Sequence, residues 1–258
     1  MTPVSGKLYL VPNTLDFGID GALPDLQDTL APGVLRLASR LEHWAVENAK
    51  TARAFLKRVN ASAPLARPVQ EISIVELPRP PKGSQRIVPD GLQALLAPVQ
   101  AGHDMGLLSE AGLPAVADPG SALVQQAHAL GIEVVPLPGS SSLLLALAAS
   151  GLNGQGFTFV GYLPVESAQR AARIRELEQQ SLRDGYTRLM IETPYRNQAL
   201  LDALVQQLQP TTRLSVSCGL TLPSGFTRSA SVAAWRQATT QLPSNVPAVF
   251  SFLAMAER

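Results

Sequence analysis

Residues 104–120 read Asp104-Met105-Gly106-Leu107-Leu108-Ser109-Glu110-Ala111-Gly112-Leu113-Pro114-Ala115-Val116-Ala117-Asp118-Pro119-Gly120. The stretch opens with a short apolar run bounded by polar residues, the pattern of a strand buried on both faces. Small residues and prolines follow, and then an apolar-periodic segment at 121–130, the pattern of a loop leading into a helix. Strand, loop and helix in that order are the elementary piece of a parallel sheet with crossover helices. Such sheets bind ligands beyond the carboxyl ends of their strands, so the 109–120 loop is a first candidate for chemistry.

The alternation extends in both directions from this piece. Apolar strands are expected at 7–11, 43–46, 71–77 and 132–137, with helices at 49–59 and 91–101. A second set begins after Gly151, with strands at 157–163, 187–192, 214–218 and 248–253 and helices at 166–182 and 197–208. Two sets of strands imply two sheets joined near 136–142, hence two domains, 1–137 and 138–258. Proline-rich stretches at 64–68 and 78–81 read as surface loops, and no internal repeat is present.

Composition narrows the function. At 258 residues the chain can build two small cores, and 46% hydrophobic with only 16% charged residues excludes a disordered protein. The single cysteine, Cys218, excludes an intramolecular disulfide and argues against thiolate zinc. His43, His103 and His128 show no ligand-like spacing, so no metal site is expected. Residues 1–7 carry no signal pattern, and the longest apolar run, 143–149, is far below the ~18 residues that span a bilayer. A cytoplasmic protein without a membrane partner is the expectation. With a net charge of only +1, any nucleic-acid partner has to be met by a local basic face.

Three stretches carry candidate chemistry. In the first, Ala111 and Gly112 allow a ligand close to backbone amides, and Pro114 stiffens the loop. Asp118 before Pro119 also fits a helix N-cap with proline at the first helical position. The second is Pro136-Leu137-Pro138-Gly139-Ser140-Ser141-Ser142, where the serines either cap a helix or offer hydroxyls and amides to a polar ligand. In the third, Ile191-Glu192-Thr193-Pro194-Tyr195-Arg196-Asn197, Glu192 either accepts from a ligand or pairs with Arg196. After the first strand stands Pro12-Asn13-Thr14-Leu15 and no G-x-G-x-x-G, which disfavours a dinucleotide site. Walker A, H-E-x-x-H and G-x-S-x-G motifs are also missing. Chemistry without a metal or a covalent nucleophile gains weight, and methyl transfer from a sulfonium is one such reaction.

Taken in order, these loops resemble the tetrapyrrole methylase superfamily, the class III S-adenosylmethionine-dependent methyltransferases. Within it they are most similar to the ribosomal RNA small-subunit methyltransferase I branch. That branch carries S-D-A-G-x-P-x-x-S-D-P-G, met here by Ser109 to Gly120, then P-L-P-G-x-x-A, met by Pro136 to Ser142. Its G-F-L-P stands here as Gly161-Tyr162-Leu163-Pro164, and its Y-E-S-P-H-R corresponds to Ile191 to Arg196. The similarity runs from about residue 104 to about residue 220.

The resemblance implies two α/β domains, a parallel N-terminal sheet and a mixed C-terminal one, with the ligand cleft between them. It implies a homodimer and S-adenosylmethionine as cofactor. Carried over by position, cofactor contacts fall on Pro12, Ala111, Gly112, Leu113, Val116, Ser141, Ser142, Glu192, Gly219 and Leu220. The branch's A-E-D-T-R-x-T-R appears as Val46-Glu47-Asn48-Ala49-Lys50-Thr51-Ala52-Arg53, its T-P-I-G-N-x-x-D keeps only Pro12 clearly, and its E-L-T-K reads Gly219-Leu220-Thr221-Leu222.

RNA methylation at a ribose 2′-hydroxyl is the leading expectation. There Glu47 takes the hydroxyl proton, and Lys50 and Arg53 hold phosphates. Methylation of a tetrapyrrole or another small molecule is the alternative, and a cofactor-binding module without catalysis is a third. Clustering of Arg53, Lys57, Arg58 and the basic loop at 79–82 would favour RNA.

Overall fold

The computed structural model describes residues 5–16, 25–78 and 91–255; the basic loop at 79–82 lies outside them. The chain divides into two compact units, Met1–Ser140 and Ser141–Arg258. The division falls after Ser140 and not after residue 137, because the 137–140 turn is tied to the first strand. The Leu137 amide donates to the Leu10 carbonyl at 3.1 Å, and Gly139 lies against Pro12.

The first unit runs β1 (Lys7–Leu10), α1 (Pro32–Ala38), β2 (His43–Val46), α2 (Ala49–Ser62), β3 (Ser73–Glu76), α3 (Leu92–Leu95), α4 (Ala97–Gln100), β4 (Met105–Leu108), α5 (Ser121–Ala129) and β5 (Glu133–Pro136). Its five strands are all parallel, in the order β3-β2-β4-β1-β5. β4 is central and wholly buried, as its unbroken apolar run requires. Side chains alternate between two cores. Trp44, Val46 and Leu108 pack with Phe55, Leu56 and Val59 of α2, while Ala45, Met105 and Leu107 pack with Leu96, Val99 and Leu123 on the other face.

α2 owes its start to Asn48, whose side-chain oxygen accepts from the amides of Lys50 and Thr51 at 2.8 and 3.3 Å. Its buried residues, Ala52, Phe55, Leu56 and Val59, follow the i, i+3, i+4, i+7 rule of a helix with one face in a core. The single helix expected over 91–101 is two short ones. Pro98 lacks an amide hydrogen and its ring crowds the carbonyl four residues back, so α4 starts anew with proline in its first turn.

The second unit runs α6 (Ser142–Ser150), β6 (Phe157–Phe159), α7 (Ser167–Asp184), β7 (Thr187–Glu192), α8 (Asn197–Gln207), β8 (Arg213–Cys218), β9 (Phe226–Ser231), α9 (Val232–Arg236) and β10 (Ala248–Leu253). Its sheet is mixed, in the order β6-β7-β10-β8-β9, with β6 parallel to β7 and the other pairs antiparallel. α7, α8 and α9 cover one face through Ile174, Leu177, Leu200, Leu204 and Trp235. On the other face α6 packs Leu143, Ala146 and Leu147 against Leu189 and Val249. Among the described residues no helix is long and apolar enough to cross a membrane.

Candidate functional site

Because every strand of the first sheet points the same way, the loops after β1, β2, β4 and β5 leave from one edge. Three of them meet directly, and the fourth, after β2, joins through Glu47. Asn13 forms an isolated antiparallel bridge with Gly112, its amide donating to the Gly112 carbonyl at 2.8 Å. The Asn13 side-chain amide donates to the Ser109 and Glu110 carbonyls at 3.2 and 3.0 Å, and its oxygen accepts from the Thr14 amide at 2.9 Å. The loop after β1 is thereby clipped to the loop after β4. The loop after β5 joins them through Gly139, where a Cβ would stand 2.1 Å from the Cβ of Pro12. Only glycine fits that approach.

The 109–120 loop has an unusual backbone. Ala115 and Ala117 hold left-handed conformations (φ +67° and +64°), as does Gly112 at +65°. A left-handed L-residue costs roughly 1–2 kcal/mol, so two alanines in this state must be held by their surroundings. Part of that restraint is local, with Ala115 N–H to Pro119 carbonyl and Val116 N–H to Leu113 carbonyl both at 3.3 Å. Among the described residues no acceptor takes the amide hydrogens of Ala111 and Leu113. Val116 is 45% exposed despite its apolar side chain. The loop thus offers amide donors beside an apolar surface, the features expected of a small-ligand site.

The electrostatics centre on carboxyl groups. Glu47, just past β2, accepts a hydrogen bond from the Glu110 amide at 3.0 Å. Asp118 does not cap α5, whose N-cap is Gly120 without any side-chain cap bond, so the N-cap reading of Asp118-Pro119 is corrected. The helix begins at Ser121, too far along for Asp118 to reach its free amides. Asp118 instead lies near Glu47, Glu110 and the Ser109 hydroxyl. Burial first, and then the Glu47 carboxylate, push its pKa up to about 7 against the opposing influence of the Ser109 hydroxyl.

Lys50 and Arg53 are exposed on α2, with Arg53 Nη1 lying back on the Ala49 carbonyl at 3.3 Å. Arg58, grouped with them in the sequence, turns inward. Its Nη2 meets buried Asp16 at 3.0 Å and its Nη1 meets the Thr14 hydroxyl at 3.3 Å, while Thr14 also donates to Asp16. This cluster pins the loop after β1 to α2.

In the second unit, β7 and β8 both pair antiparallel with β10, so Glu192 and Cys218 flank Ala248 at one edge and Gly219-Leu220 continues from there. Glu192 is buried. It accepts from the Thr193 amide at 2.8 Å and from Arg196 Nε and Nη2 at 3.0 and 2.6 Å. The Arg196 pair anticipated from the sequence is formed, and every one of these bonds is made by Oε1. Gly219 is left-handed (φ +63°) and donates to the Pro247 carbonyl, and Leu220 packs beside Leu143 and Val249. Ser141 is buried at the N-cap of α6, its hydroxyl making no cap bond, and Ser142 opens the helix.

The structure therefore gathers Pro12, Ala111, Gly112, Leu113, Val116 and Glu47 at one edge of the first unit. Lys50 and Arg53 stand on the helix that leaves it. Sequence reasoning missed Asn13 and Asp16 as parts of this site, and it left Asp118 between the candidate loop and a helix cap. Asn13 and Asp16 were visible as polar residues in an otherwise apolar stretch. At the opposite edge of the same sheet the His43 and His103 rings approach to 5.1 Å between centroids. Among the described residues no group of three or more His, Cys, Asp or Glu is placed to hold a metal ion.

The model of the family described as tetrapyrrole (corrin/porphyrin) methylases matches residues 28–229. The chain is 43% identical over 106 residues to the ribosomal RNA small subunit methyltransferase I of Pseudomonas aeruginosa, covering 41% of this chain and 35% of that protein. It is 40% identical over 127 residues to the protein of the same name from Mesorhizobium japonicum, covering 49% of this chain and 42% of that protein. The chain thus spans under half the length of these curated relatives. Among solved structures, the methyltransferase CobJ aligns over 98% of this chain and 96% of its own, with TM-score 0.57 and 18% identity. A uroporphyrin-III-C-methyltransferase from Thermus thermophilus aligns over 96% and 94%, with TM-score 0.52 and 20% identity. Those two likenesses concern the fold. The match to the family model covers most of the chain, and the chain belongs to the tetrapyrrole methylase family.

Proposed function

We propose that this chain is an S-adenosylmethionine-dependent methyltransferase acting on a ribose 2′-hydroxyl of small-subunit ribosomal RNA. The observation that carries the proposal is the junction of three loops at the carboxyl edge of the first sheet. Family membership supports the reaction class, and the names of the curated relatives support the acceptor.

The residues present fit the cofactor. Pro12, Ala111, Gly112, Leu113 and Val116 would hold it, with the open Ala111 and Leu113 amides for its polar groups and Val116 for its apolar ones. When bound, S-adenosylmethionine supplies a methyl group already activated as a sulfonium, so the protein's task is alignment and removal of one proton. Asp118, with a pKa near neutrality, is matched to accept the hydroxyl proton at physiological pH. Glu47 holds the loop through the Glu110 amide, and its charge adds to burial in raising the Asp118 pKa. Lys50 and Arg53 would contact phosphates.

Calorimetry with the demethylated product, S-adenosylhomocysteine, tests the cofactor part: micromolar binding is expected, and no binding by folded protein would refute it. A ribosomal acceptor goes with a cytoplasmic location, and the family resemblance with a homodimer, for which light scattering should return twice the chain mass; a monomer mass would remove the dimer. The family description and the near-neutral net charge favour a second reading, a tetrapyrrole acceptor. Methyl transfer to a tetrapyrrole and none to RNA would establish it.

A further inference from the structure

α2 is electrostatically one-sided. Its fourteen residues include Lys50, Arg53, Lys57 and Arg58 and no carboxylate, in a chain whose basic and acidic residues nearly balance, 21 against 20. Arg58 is spent on Asp16, and the other three are exposed. Spaced i, i+3 and i+7, they share one helical face, opposite the buried Ala52, Phe55, Leu56 and Val59. Helical rise puts Lys50 and Lys57 about 10 Å apart along the axis. Among the described residues neither lysine has an ion-pair partner.

Beyond Lys57 the face opens into a surface hollow of about 470 Å³ lined by Lys57, Asn60, Arg67 and Gln70 among others. The Asn60 oxygen accepts from the Leu65 amide at 3.1 Å, which leaves its amide hydrogens for an outside acceptor. Arg67 is held by Glu42 at 2.6 Å, and its side chain stays half exposed. A row of solvated cations ending in a hollow that adds the polar groups of Asn60 and Gln70 complements a chain of phosphates. Leu65, Ala66, Pro68 and Val69 also line the hollow, so the three exposed cations leading into it, more than the hollow alone, favour a phosphate backbone over an apolar partner.

We propose that the exposed face of α2, from Lys50 through Arg53 and Lys57 into the hollow at Asn60 and Gln70, is a docking track for the sugar–phosphate backbone of the acceptor RNA. Its role presupposes the RNA acceptor proposed above. It adds contacts remote from the reacting hydroxyl that position the strand without reading its sequence.

The test measures binding of a fluorescently labelled small-subunit ribosomal RNA transcript across a salt series for wild type, Lys57→Ala and Lys57→Glu. Arg183→Ala, which alters an exposed cation at the end of α7, is the control. S-adenosylhomocysteine affinity is measured alongside and should be the same in all four. Lys57→Ala should weaken RNA binding and lower the salt slope by about 0.7 to 0.9, the loss of one phosphate contact. Lys57→Glu should weaken binding further, and the control should match wild type. RNA binding that is firm in wild type but unchanged in both Lys57 variants, or equally weakened by Arg183→Ala, would overturn the track and leave the proposed activity standing. No RNA binding by wild type would overturn both.

Discussion

The carboxylate of Glu47 accepts the amide hydrogen of Glu110 at 3.0 Å, joining two loops that are 63 residues apart in the chain. One of those loops carries Ala111, Gly112 and Leu113, so Glu47 acts on the cofactor edge through the backbone. Glu47→Ala removes the acceptor of this bond, at a cost of about 1.5–3 kcal/mol, the worth of a hydrogen bond to a charged group. Affinity for S-adenosylhomocysteine should fall roughly ten-fold, the equivalent of about 1.4 kcal/mol. Glu47→Gln keeps a carbonyl in place and should bind as wild type does. Calorimetry that finds both variants equal to wild type would remove Glu47 from the loop's support.

Asp118 predicts a pH dependence of definite sign. Its folded pKa of about 7 lies above its unfolded value near 3.8. The contribution to stability is therefore fully present below about pH 4 and is lost as pH rises through 7. Asp118→Asn, which cannot ionise, should be more stable than wild type at pH 8 by about 1–2 kcal/mol, solvent screening included, and show no gain at pH 4. The same variant should lower methyl transfer by roughly ten- to ten-thousand-fold if Asp118 takes the proton. Thermal melts at the two pH values check the first statement, and single-turnover rates check the second. Glu47→Gln removes the nearby negative charge and should move the Asp118 titration down.

Two glycines at the loop junction should fail differently. A Cβ at Gly139 meets Pro12 at 2.1 Å, so Gly139→Ala must push the two loops apart, at about 1–3 kcal/mol for overpacking. A Cβ at Gly112 has room, 3.4 Å from Leu15 and 3.6 Å from the Ser140 carbonyl, and meets only the left-handed backbone. Gly112→Ala should therefore cost roughly 1–2 kcal/mol. Cofactor affinity should drop more in Gly139→Ala than in Gly112→Ala. The reverse order would mean that the cofactor does not depend on the junction.

Much of this fold is legible without coordinates, because strands buried on both faces leave an unmistakable apolar pattern whether their neighbours run parallel or antiparallel. β4, as Met-Gly-Leu-Leu, and β10, as Ala-Val-Phe-Ser-Phe-Leu, are such cases. β9 is the counterexample. Its sequence, Phe-Thr-Arg-Ser-Ala-Ser, has too little apolar material to register as a strand, and it exists because β8 supplies a full ladder of partners along one side. The 91–101 segment misleads in the opposite sense, its apolar periodicity running on through Pro98. The candidate site was legible in its loops but not in its polar wiring. The Asn13 clip to Ser109 and Glu110, the inward turn of Arg58 to Asp16 and the crowding around Asp118 depend on contacts tens of residues apart. Local sequence carries no record of such contacts.

The account stands or falls on the acceptor. Small ribosomal subunits and protein-free small-subunit ribosomal RNA, unmodified at the target, are incubated with this protein and S-adenosylmethionine labelled in its methyl group, and the RNA is digested to nucleosides and resolved by mass spectrometry. The account predicts label in a single 2′-O-methylated nucleoside, formed by wild type and strongly reduced in Asp118→Asn. Label on a base, or no label in RNA from protein that binds S-adenosylhomocysteine, would contradict it.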